Sequence, residues 1–479
     1  MGERQNYIQN SLYVLLGNAL IFLVSFVYKP LMARILGPEQ YGIFSLIFST
    51  GLFFPSFILF SFNAALFYFI AKNRKNPRYA SDAVFTTLVF FGVASVAWFP
   101  VLLLLVKQIA PALSFWHFVI AYVIAIGGSL FSILQASQQA QERFLHYSAY
   151  NVVMSFAVAA ASLFAVSFVG TGESAALTRG ILLVLLSLLG LRSLGLFGRF
   201  RMPVLRSMWR YGRLVGLSTL FGAGTVILDR YFLAWFYPPV QVGYYDIAVS
   251  LAVAILPFVS VLTTTIAPKL VGQSTSNVRV RFGTVALFNL IAVTSFGIAL
   301  FYYSDIVLGL LLGEAYAFGS NLPLKVVALA LPFMSLNALI GSVFLAVGRV
   351  KAGSFFTVVA LVLSFAFNYL FVPNYGALGA ALALLATNVV LALATSAVLI
   401  RRYRIGLSPF FVQLGLFIVF GIAFFSIQPF GFIVKTLGLV LFGLATFLLN
   451  HRLLFDALGS VFALVRPLVR RWIRPRSES

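Results

Sequence analysis

Runs of eighteen or more apolar residues follow one another along almost the whole of this 479-residue chain, and each is long enough to cross a bilayer as a helix. The runs are continuous, without the period-two alternation of a membrane barrel strand, so helices are the expected spanning form. Hydrophobic residues make up 61% of the chain and charged residues 9%, against roughly 25% charged in soluble domains. The fold class expected is therefore an all-α polytopic membrane protein. Fourteen transmembrane helices are expected between residues 8 and 450. Cysteine is absent, and the three histidines are scattered without ligand spacing, which argues against disulfides and metal sites. No cofactor is expected beyond a coupling proton or sodium ion.

The net charge of +22 invites a nucleic-acid reading, but its placement argues for topology instead. All but seven of the 33 Lys and Arg lie at the N-terminus, in alternate loops, or in the tail. The seven are Lys29, Arg34, Lys107, Arg179, Arg230, Lys325 and Lys435. This asymmetry puts both termini and the basic loops in the cytoplasm of a cell (plasma or inner) membrane protein. The opposite loops, such as "GPEQ" and "YPPVQ", are short. The tail 451–479 has apolar residues at helical spacing and six arginines, and reads as a basic amphipathic segment on the cytoplasmic leaflet or as a solubilising tail.

The sequence echoes itself. Shifted by 201 residues, Ala33 meets Ala234, Pro38 meets Pro239, Gln40 meets Gln241, Gly42 meets Gly243 and Ser49 meets Ser250. Lys29 meets Arg230, so a cation recurs at equal depth. "GESAALT" at Gly172 and "GALGAAL" at Gly376 match at a nearly equal shift. Paired breaks in two halves point to a transporter built from repeats, with its site at their interface. Two halves of six spans are expected, 1–205 and 206–406, followed by two extra helices over 407–450 and the tail over 451–479. Six is even, so the halves are parallel and related by an axis along the membrane normal. In each half a Pro turn ends the first helix, and Gly42 or Gly243 is expected to serve the tight turn.

"PLMARILGPEQYGIFSL" (Pro30 to Leu46) resembles the segment after the first span of Wzx-type polysaccharide flippases, of the multidrug/oligosaccharidyl-lipid/polysaccharide (MOP) exporter superfamily. "ILDRYFLAWF" with "VGYYDIA" (Ile227 to Ala248), "AVGRVK" (Ala346 to Lys351) and "FNYLFVPNYGALGAALA" (Phe367 to Ala383) extend the likeness over nearly the whole chain. The resemblance implies two six-helix lobes facing each other in a V, as in the MATE-like fold, plus two further helices. It also implies a flippase that moves an isoprenoid-pyrophosphate-linked oligosaccharide from the cytoplasmic to the outer leaflet by alternating access. Family members usually act as monomers.

Charges inside the bilayer cost at least ~2.5 kcal/mol each, so they snorkel, pair or work. Lys29 lies eight residues before Gly37, about 12 Å below the turn at the helical rise. With Arg230 it either presents cations to a central cleft, where a pyrophosphate needs neutralising, or snorkels to outer lipid phosphates. Arg34, nearer the turn, is a substrate candidate or a partner for Glu39 or lipid. Lys325, Lys107, Arg179 and Lys435 read as interfacial anchors. Asp229 and Asp246 are candidate proton or sodium sites, or counterions to Arg230. Amides recur within spans at Asn18, Gln135, Asn151 and elsewhere; most are expected to join helices, and Asn63 alone is a candidate for binding sugar hydroxyls. Pro55 and Pro257 interrupt spans two and eight, as hinges or as fixed kinks.

Two other functions fit the composition less well. A cation-coupled multidrug antiporter of the same fold would favour an anionic cleft. A membrane glycosyltransferase or ligase would need a sizeable outer loop with catalytic groups, so no enzymatic activity is expected.

Overall fold

The computed structural model describes residues 2–73, 76–111, 113–193, 198–256, 275–346, 350–403, 408–425 and 434–450. Pro257 and the tail 451–479 lie outside them. The described residues are predominantly helical, with no strand. The chain forms α1 (Gly2–Phe53), the short α2 (Pro55–Ile58), α3 (Phe62–Lys72), α4 (Pro77–Ile109), α5 (Phe115–Ala140), α6 (Phe144–Val169) and α7 (Gly172–Ser193). It continues through α8 (Met202–Phe236), α9 (Pro239–Ala252), α10 (Thr275–Tyr302), α11 (Ser304–Leu312), α12 (Glu314–Ala346), α13 (Val350–Tyr403), α14 (Ser408–Phe425) and α15 (Val434–Asn450).

Among the described residues, seven helices are long and apolar enough to cross a membrane, or nine if each bent pair is one span. Two of the seven are double length: one runs for 43 residues from Leu16 in α1 to Ile58 at the end of α2, and the apolar part of α13 runs for 50. At the helical rise that is about 65 and 75 Å, roughly twice a bilayer's ~30 Å hydrocarbon core. Each is divided by a glycine outside helical geometry, Gly37 at φ 71° and Gly376 at φ 54°. A side chain would strain either turn. The helices are thus consistent with the fourteen spans expected, and the chain is a multi-pass membrane protein.

Local chemistry explains the helix ends. Pro77 and Pro203 sit in first turns, where a missing N–H costs nothing. Ser114 and His117 form a reciprocal capping box at the start of α5, and His117 Nε2 lies 2.5 Å from Glu173 of α7. Span two is not one rod. After Phe53 the chain restarts at Pro55, and Phe60 and Ser61 adopt left-handed backbone at φ 43° and 62° before α3 begins.

The chain divides into two compact units. The first comprises 1–254, 305–327 and 354–387. In it α5 packs along α7, and α1 packs along both α6 and α9. Buried Asp82 of α4 grips the return segment before α8, accepting from the Arg199 backbone N–H at 2.8 Å and pairing with Arg201 Nε at 2.6 Å. The second unit comprises 255–304, 328–353 and 388–479. There α10 packs against α14. Buried Gln413 of α14 donates to Thr294 of α10 and Thr446 of α15, both at 3.1 Å, and accepts from Asn450 at 3.0 Å. Such amide networks hold helices together where lipid offers no hydrophobic drive.

Candidate functional site

The repeat seen in the sequence is built into a crossing inside the first unit. A Cβ on Gly42 would run into the Pro239 carbonyl, and one on Gly243 would run into the Pro38 carbonyl. Residue i meeting j′ while j meets i′ is the signature of a twofold relation. The amides two residues before these glycines repeat as well. Gln40 Oε1 accepts from the Gly172 N–H at 3.1 Å, and Gln241 Oε1 accepts from the Ala377 N–H at 3.0 Å. Each half therefore ties its second span to the start of its last. The glycines do not serve the turns, as the sequence reading expects. They lie within helices and allow the second part of α1 and α9 to cross at backbone contact.

Next to this crossing lies a cavity of about 660 Å³, bounded by α1, α5, α6, α7, α8 and α9. Three cations line it: Lys29 of α1, Arg179 of α7 and Arg230 of α8. One carboxylate, Asp246 of α9, accompanies them. Arg230 donates to Asp246 through Nε at 2.9 Å and again through Nη2, and its Nη1 donates to the Val226 carbonyl at 2.8 Å. The Tyr41 hydroxyl donates to the other Asp246 oxygen at 3.0 Å. Lys29 Nζ donates to Ser250 Oγ at 2.8 Å, so this cation of the first half is held by the ninth helix of the chain. Arg179 lies over the Phe48 ring at 4.2 Å from its centre and reaches toward Tyr28. Its Nε and the Tyr28 hydroxyl are buried with no hydrogen-bond partner among the described residues. A buried donor left open in this way is costly, and an anionic ligand would satisfy it.

The expected site residues fall into three groups. Lys29, Arg230 and Asp246 come together on the cavity wall. Asp229 is buried outside the lining. It accepts from Tyr245 at 2.5 Å and from Asn368 of α13 at 2.6 Å. Its neighbour Arg230 pairs with Asp246 instead, because adjacent helical residues diverge by about 100°. Arg34 is exposed, and Asn63 donates to Ser132 of α5 at 2.8 Å; neither lines the cavity. Two cations depart from their reading as interfacial anchors. Arg179 lines the cavity, and Lys325 is only 7% exposed. Arg179 was detectable: it lies seven residues into α7 from Gly172, about 10 Å along the axis, nearly as deep as Lys29.

The chain belongs to the polysaccharide biosynthesis protein family, which residues 7–272 match. Its fold is that of the MOP superfamily. The lipid II flippase MurJ in an inward closed conformation superposes with a TM-score of 0.72 at 12% identity, covering 93% of this chain and all of that one. An outward-facing MATE multidrug transporter superposes at 0.58 and 15% identity, over 82% of this chain and 95% of that one. A MOP superfamily transporter from Pyrococcus furiosus, with a binding pocket of reverse polarity, superposes at 0.51 and 13% identity, over 83% and 95%. At these identities the likeness defines the fold alone. No curated protein matches the chain.

Proposed function

We propose that the chain is a flippase, without enzymatic activity, that carries an isoprenoid-pyrophosphate-linked oligosaccharide from the cytoplasmic to the outer leaflet by alternating access. The observation that carries this reading is the charge of the cavity. Three cations less one carboxylate leave two positive charges, which match the two negative charges of a pyrophosphate diester. Guanidinium groups suit phosphate through forked hydrogen bonds, and the open Arg179 donor supplies one. Family membership and the fold agree with it. A multidrug antiporter that exports cations is disfavoured by the same excess of positive charge.

In this reading the halves 1–205 and 206–406 rock about the Gly42–Gly243 crossing, in a protein that works as a monomer in the cell membrane with both termini cytoplasmic. Lys29→Ala is expected to abolish outward movement of a labelled lipid-pyrophosphate oligosaccharide in proteoliposomes, with the protein still folded in the membrane. Unchanged transport would remove Lys29 from the site.

Proton or sodium coupling has two candidates, Asp229 and Asp246. Asp246 is hydrogen-bonded directly to Arg230, whereas the donors hydrogen-bonded to Asp229 among the described residues, Tyr245 and Asn368, are neutral. Asp229 is therefore assigned the coupling role. Asp229→Asn is expected to leave flipping indifferent to an imposed proton or sodium gradient. A gradient response equal to the parent's would reject the assignment.

A further inference from the structure

The cavity has two chemically different ends. The cations stand at one end. Eleven residues back along α1 from Lys29, about 16 Å at the helical rise, Asn18 also lines the wall. With it are Gln135 of α5 and Asn151 of α6. Each of these last two follows an aromatic residue one turn earlier on the same helix face, Phe131 before Gln135 and Tyr147 before Asn151, and both aromatics line the cavity. Gln135 Nε2 donates to Asn151 Oδ1 at 2.5 Å, and Asn151 Nδ2 donates to the Tyr147 carbonyl at 2.8 Å.

These bonds orient the amides without exhausting them. An amide side chain offers two N–H donors and a carbonyl with two lone pairs. Among the described residues, Gln135 keeps its carbonyl and one N–H, and Asn151 keeps one N–H. Asn63, by contrast, spends its bond on Ser132 away from the cavity, as interhelical glue does. The α8 wall, from Ala223 to Arg230, has no amide, and α9 contributes Asp246 alone. Among the described residues, the polar, uncharged end thus comes from the first half of the chain.

We propose that Asn18, Gln135 and Asn151, with Phe131 and Tyr147, form a carbohydrate subsite for the sugars next to the phosphates. Uncharged donors and acceptors match pyranose hydroxyls. The flat aromatic faces match the apolar C–H face of the ring. The subsite rests on the pyrophosphate reading of the cationic end, and it adds a direction: the phosphates sit toward Gly37 and the saccharide points back toward the start of α1. It also makes the first half the part that reads sugar identity, while both halves hold phosphate.

The test uses the full chain in lipid nanodiscs. The probes are undecaprenyl pyrophosphate and the same lipid bearing a panel of neutral, N-acetylated and acidic disaccharides. At least one glycosylated probe is expected to bind more tightly than the bare lipid. Gln135→Leu and Asn151→Leu are each expected to weaken that probe about three- to tenfold, with bare-lipid affinity unchanged. The bare lipid also reports that each variant is folded. Glycosylated probes no tighter than the bare lipid, or variants that weaken all probes alike, overturn the subsite and leave the phosphate site standing. Failure of the parent protein to bind any probe overturns both.

Discussion

Arg179→Ala is expected to lower the affinity for undecaprenyl pyrophosphate by about 10- to 100-fold, the range for losing a hydrogen bond to a charged group. Flipping in proteoliposomes should fall with it. Arg179 is not held by an acid among the described ion pairs, and its Nε is open, so its removal strands no carboxylate in the membrane interior. That separates it from Arg230, whose loss would leave Asp246 buried without its partner and would confuse a binding defect with a folding one. Arg179→Lys keeps the charge but loses the planar fork, and should restore only part of the affinity. Wild-type binding by Arg179→Ala would refute the three-cation account of the cavity.

Gly42→Leu, or Gly243→Leu, is expected to pry open the crossing between the second part of α1 and α9. In each case the new side chain meets a proline carbonyl on the opposite helix, and backbone cannot turn aside as a side chain can. Overpacking of this kind costs about 1–3 kcal/mol. If the crossing closes one face of the cavity, the equilibrium should shift about 5- to 100-fold toward the state with that face open. The parent chain has no cysteine, so one introduced at Ser49 on the cavity wall reports without background. Its labelling by a membrane-impermeant thiol reagent from outside should rise by that factor. Labelling equal to that of the Ser49→Cys parent, in a folded protein, would show that the crossing is not a gate.

Much of the fold is visible in the sequence because bilayer physics leaves few options. Apolar length, basic loops and recurring Pro and Gly are each direct readouts of a membrane constraint. The 201-residue echo matches Gly42 to Gly243 and Pro38 to Pro239, and these four residues meet crosswise in the fold, Gly42 with Pro239 and Gly243 with Pro38. What it does not disclose is function within the pair, because a glycine at a turn and a glycine at a close approach read alike. The site divides in the same way. Lys29 and Arg230 stand out because depth in the membrane makes a cation conspicuous. Arg179 lies nearly as deep, but α7 begins at a glycine rather than after a Pro turn, and so the cation looks shallow. The pairing of Arg230 with Asp246 rather than Asp229 follows from helix angle. The anchoring of Lys29 to Ser250 depends on which helices become neighbours, and one-dimensional spacing does not carry that.

In the proposed transport cycle, Asp246 stays behind when the cargo departs. A carrier that released its anion and kept three bare cations would meet the self-energy of each on every return stroke, several kcal/mol per ion out of water. With Arg230 clasped to Asp246 and steadied by Tyr41, part of the empty machine travels home as an internal zwitterion. On the outbound leg the passenger's two negative charges cancel the two net positive charges of the cavity, so the electrical work of a turnover falls mostly on the return, when those two charges travel uncompensated.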